Sequence, residues 1–260
     1  AIGGFAFQPS ELLKLSFFIY LAAWISKNQS RSKSFKEGFF PFLILVGSVM
    51  LLLVFQPSTT TAALIFISSL GVYFTAGARY RFLVGAVLLG AVALSLLVYV
   101  TPYRFERVLA FLNPNQDALG SGYHINQALN AIGSGGITGV GFGESTTKLK
   151  FLPEPIGDAI FAVIAEELGF IGSMSVVLLF LFFVMRGLSI SKNTSDIFGK
   201  LMVLGFTCLI GLQTFVNIAA ISGIIPLTGV PLPFISYGGT ALTVFLTMCG
   251  IMVNVSRYRR

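Results

Sequence analysis

Seven long apolar stretches limit this chain to a narrow range of folds. Six of them are roughly 17–25 residues long, the length that a helix needs to cross the hydrocarbon core of a bilayer, and the one over 158–185 is slightly longer. Lipid offers no hydrogen bonds to an open backbone, so such spans must be helical. The sequence predicts an all-α, polytopic membrane helix bundle with about seven transmembrane helices, over 10–26, 38–55, 59–77, 82–100, 158–185, 199–222 and 233–255.

Composition excludes a soluble domain of ordinary type. Charged residues make up 10% of the chain and hydrophobic residues 55%, whereas a soluble domain carries about 25% charge. Cys208 and Cys249 both fall inside apolar spans, which is typical of core cysteines and not of a disulfide or metal pair. We expect one integral membrane domain over 1–260. Its abrupt start suggests a fragment or a processed form.

Basic residues predict the orientation of the spans. Loops 27–37, 77–81 and 186–200 and the C-terminal tail hold twelve of the 17 Lys and Arg residues. These are alternate connections, so the positive-inside rule makes that side cytoplasmic. The N-terminus of this chain and the loop 101–157 are then outside, and the C-terminus is inside. This placement explains the net charge of +7 without a nucleic-acid partner.

The loop 101–157 is too long to be structureless in a compact protein. Its apolar pieces "RVLAFL" and "INQALNAI" are expected to form short interfacial or re-entrant helices. The glycine-dense tract from Gly133 to Thr146, "GSGGITGVGFGEST", matches a phosphate-binding loop only loosely and follows no predicted strand. A flexible loop or a close-packed backbone crossing explains it better. A lipid-linked diphosphate remains a candidate anion for its amides.

Four carboxylates occur in "FLPEPIGDAIFAVIAEELGF", residues 151–170. Asp158 falls at the outer end of the fifth span, where it is either an acid favoured by the helix N-terminus or a group that acts on substrate. Glu166 and Glu167 lie deeper, where an unpaired charge is costly. We interpret these two as structural partners of Lys14 or of a backbone amide, or as groups that line a cavity.

Other polar groups allow two interpretations each. Glu11 and Lys14 are spaced to pair on one helix face, either as a stabilising pair or in a polar cavity. His124 is the only histidine, which makes a zinc site improbable, so it is taken as a loop residue in the substrate path. The proline- and glycine-rich tract from Gly223 to Thr240 either lines a cavity as an interrupted helix or is a rigid outer loop.

Four blocks of this sequence resemble one known family. They are "FQPSELLKL", the loop block from Tyr103 to Thr146, "KLKFLPEPIGDAIFAVIAEELGFIG" and "GIIPLTGVPLPFISYGGT". In this order they resemble the SEDS proteins, the FtsW/RodA/SpoVE group of peptidoglycan polymerases. That family usually has ten transmembrane helices, and the seven spans here look like its last seven.

The resemblance has local departures. The block "QPSTTTA" has Ser58 where an acidic residue is common, and "LPEPIGDAIF" has Ile156 and Gly157 where the family often has His-Thr. His124 stands where glutamine is usual. Asp158 matches the catalytic aspartate of the family.

The resemblance implies a glycosyltransferase that polymerises lipid II at the outer face of the bacterial cytoplasmic membrane. Asp158 would act as the general base on the acceptor hydroxyl, and a divalent cation, Mg²⁺ or Mn²⁺, is a possible cofactor. Membrane lipid surrounds the protein, and a class B penicillin-binding protein is the implied partner. The candidate substrate-binding residues are Glu11, Lys14, Arg104, Arg107, His124, Gln127, Lys148, Lys150, Glu154, Ser236 and Tyr237.

Two other functions fit the same pattern. A flippase for the same lipid-linked precursor would also use buried carboxylates and interrupted helices, and a non-catalytic scaffold of a division or elongation complex would need neither. Transport requires polar groups through the whole membrane depth, whereas the special residues here cluster on the outer side. The clustering favours chemistry at the outer face.

Overall fold

A computed structural model of the 260-residue chain describes residues 8–56, 58–112, 121–150 and 152–258. These residues are mostly helical and contain no β-strand, which confirms the predicted all-α class. The α-helices are α1 (Pro9–Lys27), α2 (Phe40–Phe55), α3 (Thr59–Thr75), α4 (Tyr80–Val100), α5 (Pro102–Leu112), α6 (Ser121–Ser134), α7 (Thr147–Lys150), α8 (Ile160–Asn193), α9 (Ile197–Ile221) and α10 (Gly239–Ser256).

Each of the seven predicted spans coincides with a helix. Within the described residues, five helical segments are long and apolar enough to cross a membrane, namely Phe35–Phe55, Tyr80–Val100, Ile160–Asn193, Ile197–Ile221 and Gly239–Ser256. Helix α3 is apolar but only 17 residues long, and α1 has 19 residues with an ion pair in its first turns. The protein is therefore a multi-pass membrane protein.

The described chain divides into two compact units. The first comprises the described parts of Ala1–Val92, Phe183–Leu212 and Gly239–Arg260, and the second comprises those of Ala93–Phe182 and Gln213–Gly238. The second unit therefore contains the predicted loop 101–157 and most of the tract 223–240. The prediction of one domain over 1–260 stays a prediction.

In the first unit, α1 packs against α3 and α10. Lys14 Nζ lies 2.7 Å from Glu11 Oε1 and 5.4 Å from the ring centroid of Phe245. Both charged side chains are buried. The i, i+3 pairing expected from the sequence is confirmed. The free-energy cost of burying the two charges is offset by their mutual attraction and by the contact of Lys14 with the aromatic ring.

In the second unit, the apolar pieces of the loop form α5 and α6, so the expectation of short helices is confirmed. Helix α6 packs its apolar face against the start of α8 and the end of α9. The shared core is built of small and branched side chains: Ile125, Ala128, Ala131, Leu152, Ala159, Ala162, Val163, Ile221 and Leu227. This core fixes α6 to the segment that carries Asp158.

The glycine tract is a close-packed backbone crossing, one of the two structures expected for it. It lies against α8 where that helix is interrupted at Gly169, whose φ is 64°. Val140 N donates to Glu166 O at 3.0 Å and Phe170 N donates to Gly136 O at 2.9 Å. A Cβ atom on Gly135 would lie 1.9 Å from Ala165 O. Only glycine permits this approach.

The same crossing gives Glu166 and Glu167 their partners. Glu166 accepts hydrogen bonds from Ser145 Oγ at 2.5 Å and Thr147 Oγ1 at 2.9 Å. Glu167 forms an ion pair with Lys148 at 2.5 Å. These contacts support the structural interpretation of both carboxylates, although the partners are in α7 and the preceding loop, whereas Lys14 pairs with Glu11.

Candidate active site

Asp158 lies in a turn just before α8. Gly157 N and Ala159 N both donate to Glu154 O, at 3.0 and 3.4 Å, which bends the chain ahead of the helix. Helix α8 begins at Ile160, so Asp158 precedes the helix and is not part of its first turn. The acid that the sequence placed at the outer end of the span is therefore held by a turn.

Three residues from outside the turn hold its backbone. Asn217 Nδ2 on α9 donates to Asp158 O at 2.8 Å and to Val230 O at 2.7 Å. Ser236 Oγ donates to Gly157 O at 2.6 Å, and Tyr237 N donates to Ile156 O at 2.8 Å. The proline- and glycine-rich tract thus supports the catalytic candidate directly. Its residues 223–238 form no helix, which agrees with the rigid-loop interpretation of that tract.

The two helices of the outer loop bring charged and polar groups to Asp158. His124 on α6 interacts electrostatically with the Asp158 carboxylate, and Arg107 on α5 interacts with both. Arg107 Nη1 donates to Leu227 O at 3.2 Å, and its guanidinium lies 4.6 Å from the ring centroid of Tyr103, whose hydroxyl accepts a further hydrogen bond from Arg107 Nη2. The guanidinium is therefore held in one orientation.

Four buried polar atoms at this place lack a hydrogen-bond partner among the described residues. They are Asp158 Oδ1, His124 Nε2, Arg107 Nε and Asn217 Oδ1. Buried polar atoms are nearly always paired, so a cluster of unpaired ones needs an explanation. Two of the four are acceptors without a donor, and Arg107 Nε is a donor without an acceptor. A ligand that carries hydroxyl donors and anionic oxygens would pair with these acceptors and with the Arg107 donor.

Burial and neighbouring charges shift the ionisation of this cluster. Burial raises the pKa of the Asp158 carboxyl, and the nearby Glu154 carboxylate acts in the same direction, while His124 and Arg107 oppose the shift. Burial lowers the pKa of the His124 imidazole. Asp158 is therefore a stronger base than an ordinary carboxylate, and His124 is neutral at neutral pH.

The structure brings together only some of the predicted site residues. Asp158, His124, Arg107 and Glu154 interact, and Gln127 lies half-buried one turn after His124 on α6.

Other predicted residues have different surroundings. Arg104 donates to Thr101 Oγ1 at 2.9 Å, Lys148 pairs with Glu167, and Tyr237 contributes its backbone while its side chain is exposed. Glu11 and Lys14 belong to the first unit, and the side chain of Lys150 lies outside the described residues.

Sequence analysis did not single out Asn217. A signal was present, since Gln213 and Asn217 are polar residues at i, i+4 in an otherwise apolar span. Both side chains are buried, and both donate to carbonyls of the following tract, Gln213 to Pro231 O at 2.9 Å. Polar residues on one face of a membrane helix predict a hydrogen-bonded surface that is shielded from lipid.

Comparisons with known proteins agree with this architecture. The model of the FtsW/RodA/SpoVE cell cycle protein family matches residues 1–260. The stage V sporulation protein E of Bacillus subtilis is 42% identical over 259 residues, covering 100% of this chain and 71% of that relative. The peptidoglycan glycosyltransferase MrdB of Escherichia coli K12 is 38% identical over 262 residues, covering 100% of this chain and 70% of the relative.

A solved structure shares the fold. It is described as showing the structural coordination of polymerization and crosslinking by a peptidoglycan synthase complex. Its matching chain has a TM-score of 0.81 and 27% sequence identity, and the match covers 99% of this chain and 72% of that one. The matches in sequence and in structure each extend over nearly the whole chain, and this protein belongs to the FtsW/RodA/SpoVE family.

Proposed function

We propose that this chain is a peptidoglycan glycosyltransferase that polymerises lipid II at the outer face of the bacterial cytoplasmic membrane, with Asp158 as general base. Relatives named peptidoglycan glycosyltransferase support the reaction class. The observation that carries the proposal is the unpartnered Asp158 Oδ1, beside His124 and Arg107. A buried carboxylate oxygen without a donor is available for a substrate hydroxyl.

The proton transfer follows from this geometry. The 4-hydroxyl of an acceptor sugar donates a hydrogen bond to Asp158 Oδ1 and loses its proton to that oxygen as it attacks the anomeric carbon of the donor. The new glycosidic bond forms as the bond to the lipid diphosphate breaks. A base whose pKa is raised towards neutral removes such a proton more readily than an ordinary carboxylate does. Asn217 keeps the Asp158 backbone in place for this step.

The leaving diphosphate needs compensating charge. Arg107 is suited to it because its Nε donor is unpartnered, while its two terminal nitrogens are fixed by Leu227 and Tyr103. No group of three His, Cys, Asp or Glu side chains in the described ranges is arranged to bind a metal ion alone. Mg²⁺, however, commonly takes one or two carboxylates together with substrate phosphates.

Glu154 fits that donor set as a single carboxylate, because it is exposed and close to Asp158, and this choice leaves Asp158 Oδ1 available as the base. A divalent cation held there with the diphosphate would neutralise developing negative charge. We expect EDTA to lower the polymerisation rate and Mg²⁺ or Mn²⁺ to restore it. A rate that EDTA leaves unchanged would remove the cation from the proposal.

Orientation and partner complete the proposal. The distribution of basic residues supports an outside N-terminus for this chain, a cytoplasmic C-terminus and an outer location for Asp158. The structural relative that couples polymerization with crosslinking supports a crosslinking partner, a class B penicillin-binding protein, for this chain too. Co-purification of the two membrane proteins tests the pairing.

The decisive experiment compares two charge-removing variants in a lipid II polymerisation assay. Asp158→Asn keeps the side-chain shape and removes the base, so the rate should fall by roughly 10²–10⁴-fold. Glu106→Gln removes an exposed carboxylate from the same outer loop and should keep the parent rate. Parent activity in purified Asp158→Asn would refute the assignment. Movement of a fluorescent precursor across vesicles without polymerisation would indicate the flippase instead.

A further inference from the structure

The first unit contains a basic cavity that the proposed reaction does not use. It has a volume of about 610 Å³ and is lined by Ser30, Lys33, Ser34, Phe35, Arg79, Arg81 and Phe82. Its residues come from the segment between α1 and α2, from the turn before α4 and from the first turn of α4. The positive-inside rule places these connections on the cytoplasmic side. We propose that this cavity binds the phosphate headgroup of an anionic phospholipid.

The charge of the cavity is uncompensated. Lys33, Arg79 and Arg81 line it, and none of the three forms an ion pair with a carboxylate in the described part of the chain. The nearest acid in sequence, Glu37, lies 3.7 Å from Arg31, which is outside the cavity lining. Three like charges around one cavity repel each other unless an anion enters.

The cavity walls are held in place without a ligand. Tyr73 OH donates to Ser32 O at 2.9 Å and both residues are buried, which fixes the segment 29–33 to α3. The Phe82 ring stacks on Phe39 at 4.9 Å and contacts Phe35 at 6.1 Å, which joins the start of α4 to the segment before α2. A binding site that is formed in advance loses little entropy when it is filled.

The position of the cavity favours a lipid over a soluble anion. Arg81 and Phe82 lie in the first turn of α4, where the helix dipole favours negative charge. The same helix continues as an apolar candidate span with large exposed hydrophobic side chains such as Val84 and Leu88. Phe35 is also 55% exposed at the cavity. A phosphate on the cations therefore leaves acyl chains beside an apolar surface, and basic pockets at this membrane depth are suited to anionic lipid headgroups.

Positive-inside charge alone predicts a different behaviour. Lys and Arg residues that set the membrane orientation act through how many of them lie on each side of the membrane. If only this mattered, any basic residue on the cytoplasmic side would attract anionic lipid equally. The cavity predicts that three particular residues matter more than others of the same charge. A matched control is available in Lys27, Lys36 and Lys192, which are on the same predicted side and do not line the cavity.

The test measures lipid adducts on the purified full chain by native mass spectrometry. Detergent micelles are doped with phosphatidylglycerol or phosphatidylcholine, and inorganic phosphate is titrated in a separate arm. Each cation near an anionic headgroup contributes roughly a fivefold preference. The triple variant K33Q/R79Q/R81Q should therefore lose phosphatidylglycerol affinity by about 100-fold, while K27Q/K36Q/K192Q retains it.

Each outcome decides the proposal. If both triple variants lost the same phosphatidylglycerol affinity, the effect would come from overall positive charge, and the proposed site would be overturned. Saturation of the site by millimolar inorganic phosphate, with no preference for phosphatidylglycerol over phosphatidylcholine, would overturn the lipid assignment. If the cavity variant does not insert into the membrane, the single variants K33Q, R79Q and R81Q should each lose about fivefold, and no loss in any of them rejects the site.

Discussion

Replacing Asn217 with leucine should disable the proposed active site without touching a reacting group. Asn217 is 1% exposed, and its Nδ2 donates to Asp158 O and Val230 O at 2.8 and 2.7 Å. Leucine has the same branched arrangement of four side-chain heavy atoms but no donor, so the substitution leaves two buried carbonyls unsatisfied. Each costs roughly 1–2 kcal/mol, which gives a loss of about 2–4 kcal/mol in the free energy of unfolding.

The substitution should also lower the catalytic rate of the molecules that remain folded. The bond from Asn217 is one of the contacts that fix the backbone of Asp158 itself. A shift of about 1 Å in a catalytic group commonly costs on the order of 100-fold in rate. Thermal unfolding of the detergent-solubilised protein and the rate of lipid II polymerisation by the folded fraction should be measured together. Asn130→Leu is the control, since Asn130 is exposed on α6.

Two results would refute this reasoning. If Asn217→Leu polymerised lipid II at the parent rate per folded molecule, the hydrogen bond to Asp158 would have no positioning role. If Asn130→Leu lost as much activity, the loss would reflect a new apolar side chain in general. Asn217→Gln, which keeps an amide donor on a longer side chain, should recover part of the activity and so separate positioning from packing.

Further predictions concern ionisation and backbone packing. The rate should fall at low pH as Asp158 becomes protonated. Removing the guanidinium that stabilises the Asp158 carboxylate (Arg107→Gln) should move this limb of the kcat/KM profile to higher pH, whereas Glu154→Gln, which removes a repelling carboxylate, should move it to lower pH. Shifts in the same direction would contradict the assignment. Gly135→Ala should prevent stable folding because its Cβ would meet a backbone oxygen at 1.9 Å. The control Gly133→Ala lies in open space on α6 and should be neutral or stabilise the protein by up to about 1 kcal/mol. Thermal unfolding of both variants checks this.

Much of the fold could be predicted because apolar length is a local property. Each of the seven spans coincides with a helix, and the apolar pieces of the outer loop form α5 and α6. Boundaries were less accurate where a turn replaces a helix. The last span was predicted from residue 233, yet α10 begins at Gly239, because the preceding residues bind the Asp158 turn through Ser236 and Tyr237.

The candidate site was only partly predictable. Asp158 was identified through the resemblance. His124, Arg107 and Glu154 were among the candidate substrate-binding residues, whereas Asn217 was missed. The sequence also grouped Lys148 with the substrate-binding residues, and the structure pairs it with Glu167. Residue type does not reveal which charges compensate each other, since that depends on where the glycine tract crosses α8.

By itself the sequence determined that this chain crosses a membrane repeatedly as helices, because lipid forces every apolar span to satisfy its own backbone. It also determined the family, because ordered motifs extend over the chain. Only the tertiary structure decided that Asp158 is left with an unpartnered oxygen while Glu166 and Glu167 are paired. Burial and pairing arise from contacts between residues far apart in the chain, and no local pattern encodes them.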